Sequence, residues 1–161
     1  MQVDRRLQLL GLLDTLKKKL DISTFDKRLT LQKTVYISQE MGIPLGYSFG
    51  WYYYGPYSPG LTKDAFELNL VSPVGLCHIS LPKTTIDGVK KLVTEIDKLP
   101  KREEGYWFEL LSSLHFMFRY AYPKTGSEKE AIQRLMRSKP RKFNKEDAER
   151  MFKILRKYKL V

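Results

Sequence analysis

One cysteine, Cys77, and two histidines, His78 and His115, are all that 161 residues hold of the side chains most used to bind metals and activate nucleophiles. A single cysteine excludes an internal disulfide and fits a reducing compartment. Neither histidine has a ligand-like partner one helical turn away, and a zinc site needs three or four ligands. Cys77 and His78 are neighbours on an expected strand, where successive side chains face opposite ways, so they cannot form a nucleophile–base pair with each other. His115 stands beside an apolar helical stripe and reads as a packed, hydrogen-bonded core residue. The phosphate-cradling patterns G-x-x-x-x-G-K-[ST] and G-x-G-x-x-G are both missing. Adjacent acids such as Glu103 and Glu104 read as a helix N-terminus and not as an acid/base couple. No apolar run approaches the ~20 residues that cross a bilayer. The leucine-rich start is broken by charge and has no small-residue cleavage site, so it reads as a helix and not a signal peptide. These absences point to a non-enzymatic cytoplasmic protein with no metal, no cofactor and no membrane span.

Positive charge is what the chain has in excess, and it is not evenly spread. Residues 134–161 carry eleven Lys or Arg against Glu146, Asp147 and Glu149, a net of +8. Residues 1–28 add seven basic against four acidic side chains, and residues 29–133 balance at eleven of each sign. The whole net charge of +11 therefore sits at the two ends. Clustered Lys and Arg attract polyanions because they displace the counterions condensed on phosphate.

With 42% hydrophobic and 12% aromatic residues the chain can bury a full core, and its length fits a single domain, 1–161, with a strongly basic segment at 134–161. Helical spacing places helix 1 over 3–20, through Val3, Leu7, Leu10, Leu13, Leu16 and Leu20. A second helix over 30–41 stops at Gly42, ahead of Pro44. The aromatic run 47–55 reads as a strand, and Ser58-Pro59 opens a helix to about residue 70. Residues 71–82 read as short and β-like. Thr84 or Thr85 caps a helix with apolar positions Ile86, Val89, Leu92, Val93 and Ile96. A helix over 103–121 buries Trp107, Leu110, Leu111, Leu114 and Phe118. Ser127 and Glu130 form a capping box, Pro140 ends that helix, and Asn144 caps the last one. The last helix has an apolar stripe of Ala148, Met151, Phe152 and Leu155 opposite Arg150, Lys153, Arg156 and Lys157. The expected class is α+β, mainly helical, with about seven helices and two or three short antiparallel strands. A helix, hairpin and helix in succession is also analogous to winged-helix proteins.

The most unusual local sequence is Trp51-Tyr52-Tyr53-Tyr54-Gly55-Pro56-Tyr57-Ser58-Pro59. In a continuous strand Trp51 and Tyr53 face one way and Tyr52 and Tyr54 the other. One set packs on the core, with Trp51 buried, and Tyr52, Tyr54 and Tyr57 are candidates for contact with a partner. The runs LQKTVYISQEMG (31–42) and WYYYGPYSPGL (51–61) resemble L-Q-K-L-x-Y-x-x-Q … W-x-Y-G-P-x-x-P-x-L, the pattern of the Panacea (SocA-like) antitoxin domains and the related YwgA-like proteins. Leu31, Gln32, Lys33, Tyr36 and Gln39 match its first half, and Trp51, Tyr54, Gly55, Pro56, Pro59 and Leu61 its second. The later WFELLSSLHFMFRY and KPRKFNKEDAE look like the C-terminal half of YwgA-like proteins. The resemblance implies a small helical domain that works by binding protein partners, neutralising toxins or delivering them to a protease, and brings no catalytic residues. The strong basic charge departs from the Panacea pattern.

In the C-terminal segment Arg134, Arg137, Lys139, Arg141 and Lys142 cluster around Pro140. Lys145, Lys153, Arg156 and Lys157 extend the cluster along the last helix. These nine are the candidate nucleic-acid contacts. Asn144 is the only nearby amide suited to reading adenine, and its capping role takes precedence. Binding is therefore expected to be backbone-dominated and weakly sequence-specific, with DNA ahead of RNA. The alternative is a protein-binding adaptor or antitoxin-like module that docks a partner, acidic for charge complementarity, through the Tyr-rich strand 51–57.

Overall fold

Side-chain caps set most of the helix starts. Asp4, Thr24, Ser58, Ser127 and Asn144 each accept a backbone N–H from the first turn that follows, satisfying a donor that the helix itself leaves unpaired. The computed structural model describes residues 4–71 and 81–161. Among these residues seven helices form: α1 (Arg5–Thr15), α2 (Phe25–Glu40), α3 (Pro59–Leu70), α4 (Lys83–Asp97), α5 (Tyr106–Arg119), α6 (Glu128–Ser138) and α7 (Lys145–Lys157). One antiparallel hairpin, β1 (Gly50–Tyr52) and β2 (Gly55–Tyr57), lies between α2 and α3. The fold is thus α+β and mainly helical, as the periodicity predicts. No helix among the described residues is long and apolar enough to cross a membrane.

Several boundaries differ from those read in the sequence. Helix α1 ends at Thr15, because Lys17 turns left-handed (φ 54°) and the Lys18 amide bonds back to the Leu13 carbonyl at 2.9 Å. Helix α2 begins five residues earlier than its apolar spacing suggests, on the Thr24 cap. Helix α4 starts after Pro82 with no side-chain cap, so Thr84 and Thr85 lie inside its first turn. The aromatic strand is short, because Tyr53 and Tyr54 form the hairpin turn. Cys77, His78 and most of the β-like stretch expected over 71–82 fall at 72–80, outside the described residues.

The core is one cluster, and α5 runs through it. Trp107, Leu110, Leu111 and Leu114 are buried as their spacing demands, and Phe118 is half-buried. The polar face of α5 is buried too: Glu109, Ser112, Ser113 and His115 are all within 4% of full burial. Helices α2, α6 and α7 and strand β2 pack around it. A helix enclosed in this way must find partners for its polar side chains inside the protein.

Candidate nucleic-acid interface

The hairpin is held from below by α2. The buried Gln32 side chain accepts the Ser58 N–H at 2.8 Å and donates to the Ser58 carbonyl at 3.0 Å, as a neighbouring strand would. Gln39 repeats the device about two turns along the same helical face, accepting the Tyr47 N–H at 3.0 Å and donating to the Tyr47 carbonyl at 2.7 Å. Between them Lys33, buried to 1% exposure, donates to the Pro56 carbonyl at 2.6 Å. Burial holds its amine down at about 7, with nearby Glu109 acting in the opposite sense. Gly55 reverses the chain with φ +88°, and a Cβ there would collide with the Ser113 hydroxyl, so the position needs glycine for conformation and for space. Deeper in, the Tyr36 hydroxyl lies 2.7 Å from His115 Nδ1. Burial pushes the Tyr36 hydroxyl up and the His115 imidazole down to about 4, so both are neutral near pH 7.

Helix α5 supplies the second anchor. Buried Glu109 receives the Lys139 ammonium at 2.8 Å and the Lys142 ammonium at 2.7 Å. Burial lowers the Lys139 amine, and its bond to Glu109 opposes that shift. The same two cations face the hairpin: Lys139 lies 5.5 Å from the Trp51 ring centre and Lys142 5.0 Å from that of Tyr54. The break between α6 and α7 is thereby clasped to both α5 and the hairpin.

This geometry divides the nine basic candidates. Lys139, 8% exposed, is a structural ion-pair partner and not a surface contact, and Lys142 is committed to the same carboxylate. Arg134 turns to Glu130 and the Pro123 carbonyl, and Lys157 pairs with Glu95 of α4 at 2.9 Å. The linear cluster 134–142 is therefore not one basic face. A different grouping takes its place. Arg137, Lys145, Lys153 and Arg156 line a groove of about 920 Å³ between α6 and α7, floored by Ile132, Met136 and Phe152. Two acids share its rim: Glu128 pairs with Arg156, and Glu149 stands 3.8 Å from Lys145. Arg137, Arg141 and Lys153 are exposed and have no carboxylate partner among the described residues.

The aromatic candidates are also redistributed. Trp51 is 37% exposed, tilted against Phe116 at 5.6 Å, so the expectation that it is buried fails. Its cross-strand neighbour is Pro56, and the short hairpin leaves no second layer to cover the ring. Tyr52 is 49% exposed, as a contact residue should be. Tyr54 is half-buried edge-on against Phe25, and Tyr57 is half-buried with its hydroxyl bonded by Thr62 at 2.6 Å. Tyr53, at 85% exposure, was not among the sequence candidates. A two-residue turn at Tyr53-Tyr54 followed by Gly55 is the signal that would have found it. Among the described residues no group of three His, Cys, Asp or Glu side chains is placed to hold a metal ion. No family model matches the chain, and neither a curated protein nor a solved structure matches it.

Proposed function

We propose that this protein is a non-enzymatic nucleic-acid-binding domain whose contact surface is the basic rim of the α6–α7 groove. One observation carries the reading: two helices bring Arg137, Lys145, Lys153 and Arg156 around one groove, in the segment that holds most of the excess charge. Guanidinium and ammonium groups suit phosphate oxygens, and no side chain on the rim has the paired amide geometry that reads a base edge. Affinity is then backbone-dominated and weakly sequence-specific, suited to a regulatory, repair-accessory or defence role. DNA is the first ligand to test. Changing Arg137→Glu together with Lys153→Glu lowers affinity for any DNA by a similar factor. The slope of log K against log salt falls by about 0.9 for each lost phosphate contact. Folding is unaffected, since both side chains are exposed. Wild-type protein that is not retained on DNA at moderate ionic strength overturns the proposal.

A second reading rests on the exposed hairpin. Trp51, Tyr52 and Tyr53 present large rings on a rigid support, the composition of an interface hot spot, and the resemblance to Panacea domains favours a protein partner. Under it the chain is an adaptor or antitoxin-like module for an acidic protein. Replacing Tyr52 and Tyr53 by alanine then abolishes association with that protein and leaves retention on DNA unchanged.

A further inference from the structure

We infer that the phosphate ester of a small polyol binds between the end of α1, α2 and the start of α5, its phosphate on the first turn of α5 and its hydroxyls along α2. The residue that opens α5 cannot cap it. Gly105 sits at φ +80°, a Cβ there would stand 3.0 Å from the Thr30 hydroxyl, and no side chain caps the helix. Among the described residues the backbone N–H groups of Trp107 and Phe108 have no acceptor. The positive end of a 14-residue helix is thus open to an anion. Two adjoining cavities lead away from this turn. One, of about 330 Å³, is lined by Trp107 and Phe108. The next, of about 270 Å³, has Leu13 and Leu31 in its walls, and Lys18, Thr30 and Glu104 line both. Lys18 brings its ammonium to 5.8 Å from the Phe108 ring centre, near the open turn.

Thr34 points to what else the ligand carries. One turn beyond Thr30 on α2, it lines the second cavity at 1% exposure, and its hydroxyl has no hydrogen-bond partner. Buried polar atoms are paired as a rule. Thr30 and Ser38, one turn to either side, donate to the carbonyls four positions earlier, at 2.9 and 2.7 Å, and Thr34 does not. A ligand hydroxyl seated in the cavity pairs it. Charge settles the orientation. Around the first cavity Asp97, Glu103 and Glu104 balance Lys18, Lys101 and Arg102, so the helix end makes the group bound there an anion. In the second, Lys27 neutralises Asp21 at 2.6 Å, leaving Lys18 and Lys19 against Glu104. A carboxylate only accepts hydrogen bonds, so Glu104 suits the ligand's hydroxyls and not a second phosphate. Both volumes lie at the low edge of small-molecule sites, about 300–1,000 Å³, so the ligand is a metabolite and not a polymer. None of these residues lines the α6–α7 groove, and the site is independent of the nucleic-acid reading.

The test is a titration of the Trp51→Phe protein with ribose 5-phosphate, ribose and inorganic phosphate. Sodium chloride at about 0.15 M screens loose attraction to the basic surface. Trp107 is then the only tryptophan, and it lines the first cavity. Ribose 5-phosphate should shift its emission and raise the melting temperature, both saturably. Inorganic phosphate should bind more weakly and ribose not at all. Thr34→Val should lower ribose 5-phosphate affinity about tenfold and leave inorganic phosphate binding unchanged. The ligand-free melting temperature should not fall, since the change removes an unpaired buried hydroxyl. Lys18→Gln should weaken both ligands, and Arg137→Glu with Lys153→Glu neither. No saturable response to ribose 5-phosphate, or a response that survives Thr34→Val or Lys18→Gln, overturns this inference and leaves the nucleic-acid reading standing. Failure to retain DNA, with the ribose 5-phosphate response intact, removes the groove reading and leaves this site in place.

Discussion

Lys33 carries its ammonium into the core with a single hydrogen-bond acceptor, the Pro56 carbonyl. Its amine sits near 7 when folded, against 10.5 in the free chain. Below pH 7 both states are charged and the burial penalty is fully present. Between pH 7 and 10.5 the unfolded chain holds more protons than the folded one, so this residue makes stability rise with pH. Denaturant midpoints should climb across that window in the wild type and flatten in Lys33→Met. His115 acts at the opposite end of the scale. Burial holds its imidazole near 4 instead of 6.5, so stability present above pH 6.5 is lost as pH falls through 4. Tyr36→Phe leaves the ring nitrogen unpaired in the core and should cost about 1–2 kcal/mol in urea unfolding. The sequence marks His115 as a packed, hydrogen-bonded residue without naming its partner, and gives no sign of the role of Lys33, because the partners lie far off: Pro56 is 23 positions from Lys33, and His115 is 79 from Tyr36.

At the scale of elements, what could be read from sequence is what is local. Gly42 ends α2 at φ +106°, with the Ile43 amide bonded to the Ser38 carbonyl at 3.1 Å. Ser58-Pro59 and Asn144 open helices as their residue types require. Ser127 accepts the Glu130 N–H, although the Glu130 carboxylate reaches Gly126 instead of closing the box on Ser127. Two further helices end in the same left-handed manner on lysine, at Lys17 and Lys159, and nothing in the residue type announces it. An L-residue in that conformation costs about 1–2 kcal/mol. Lys17→Gly and Lys159→Gly should therefore each raise stability by about 1 kcal/mol, seen as a higher melting temperature. The site was less legible than the fold. No local pattern announces the role of Glu109, because its cations Lys139 and Lys142 follow 30 and 33 positions later. That carboxylate turns a linear cluster of basic residues into a clasp. Glu109→Ala leaves Lys139 buried without a counter-charge and should cost about 3 kcal/mol or more, with the 139–142 segment released first in proteolysis.

For the molecule as a whole, salt acts in two opposite directions. The net +11 repels itself in the compact state, and screening relieves that repulsion. Melting temperature should rise between low and moderate sodium chloride while affinity for any phosphate polymer falls. Helix α5 gives the fold a further property. It is enclosed by α2, α6, α7 and β2, and its Glu109 holds the segment that faces the hairpin. A helix with neighbours on every side has no local opening that frees its backbone. Its amides should exchange with deuterated solvent only when the entire domain opens, at one common rate set by global stability. Amides of the hairpin and of the α6–α7 break should exchange faster, and only these should slow when nucleic acid is added. Labelling time thereby separates the spine of the protein from the surface it presents.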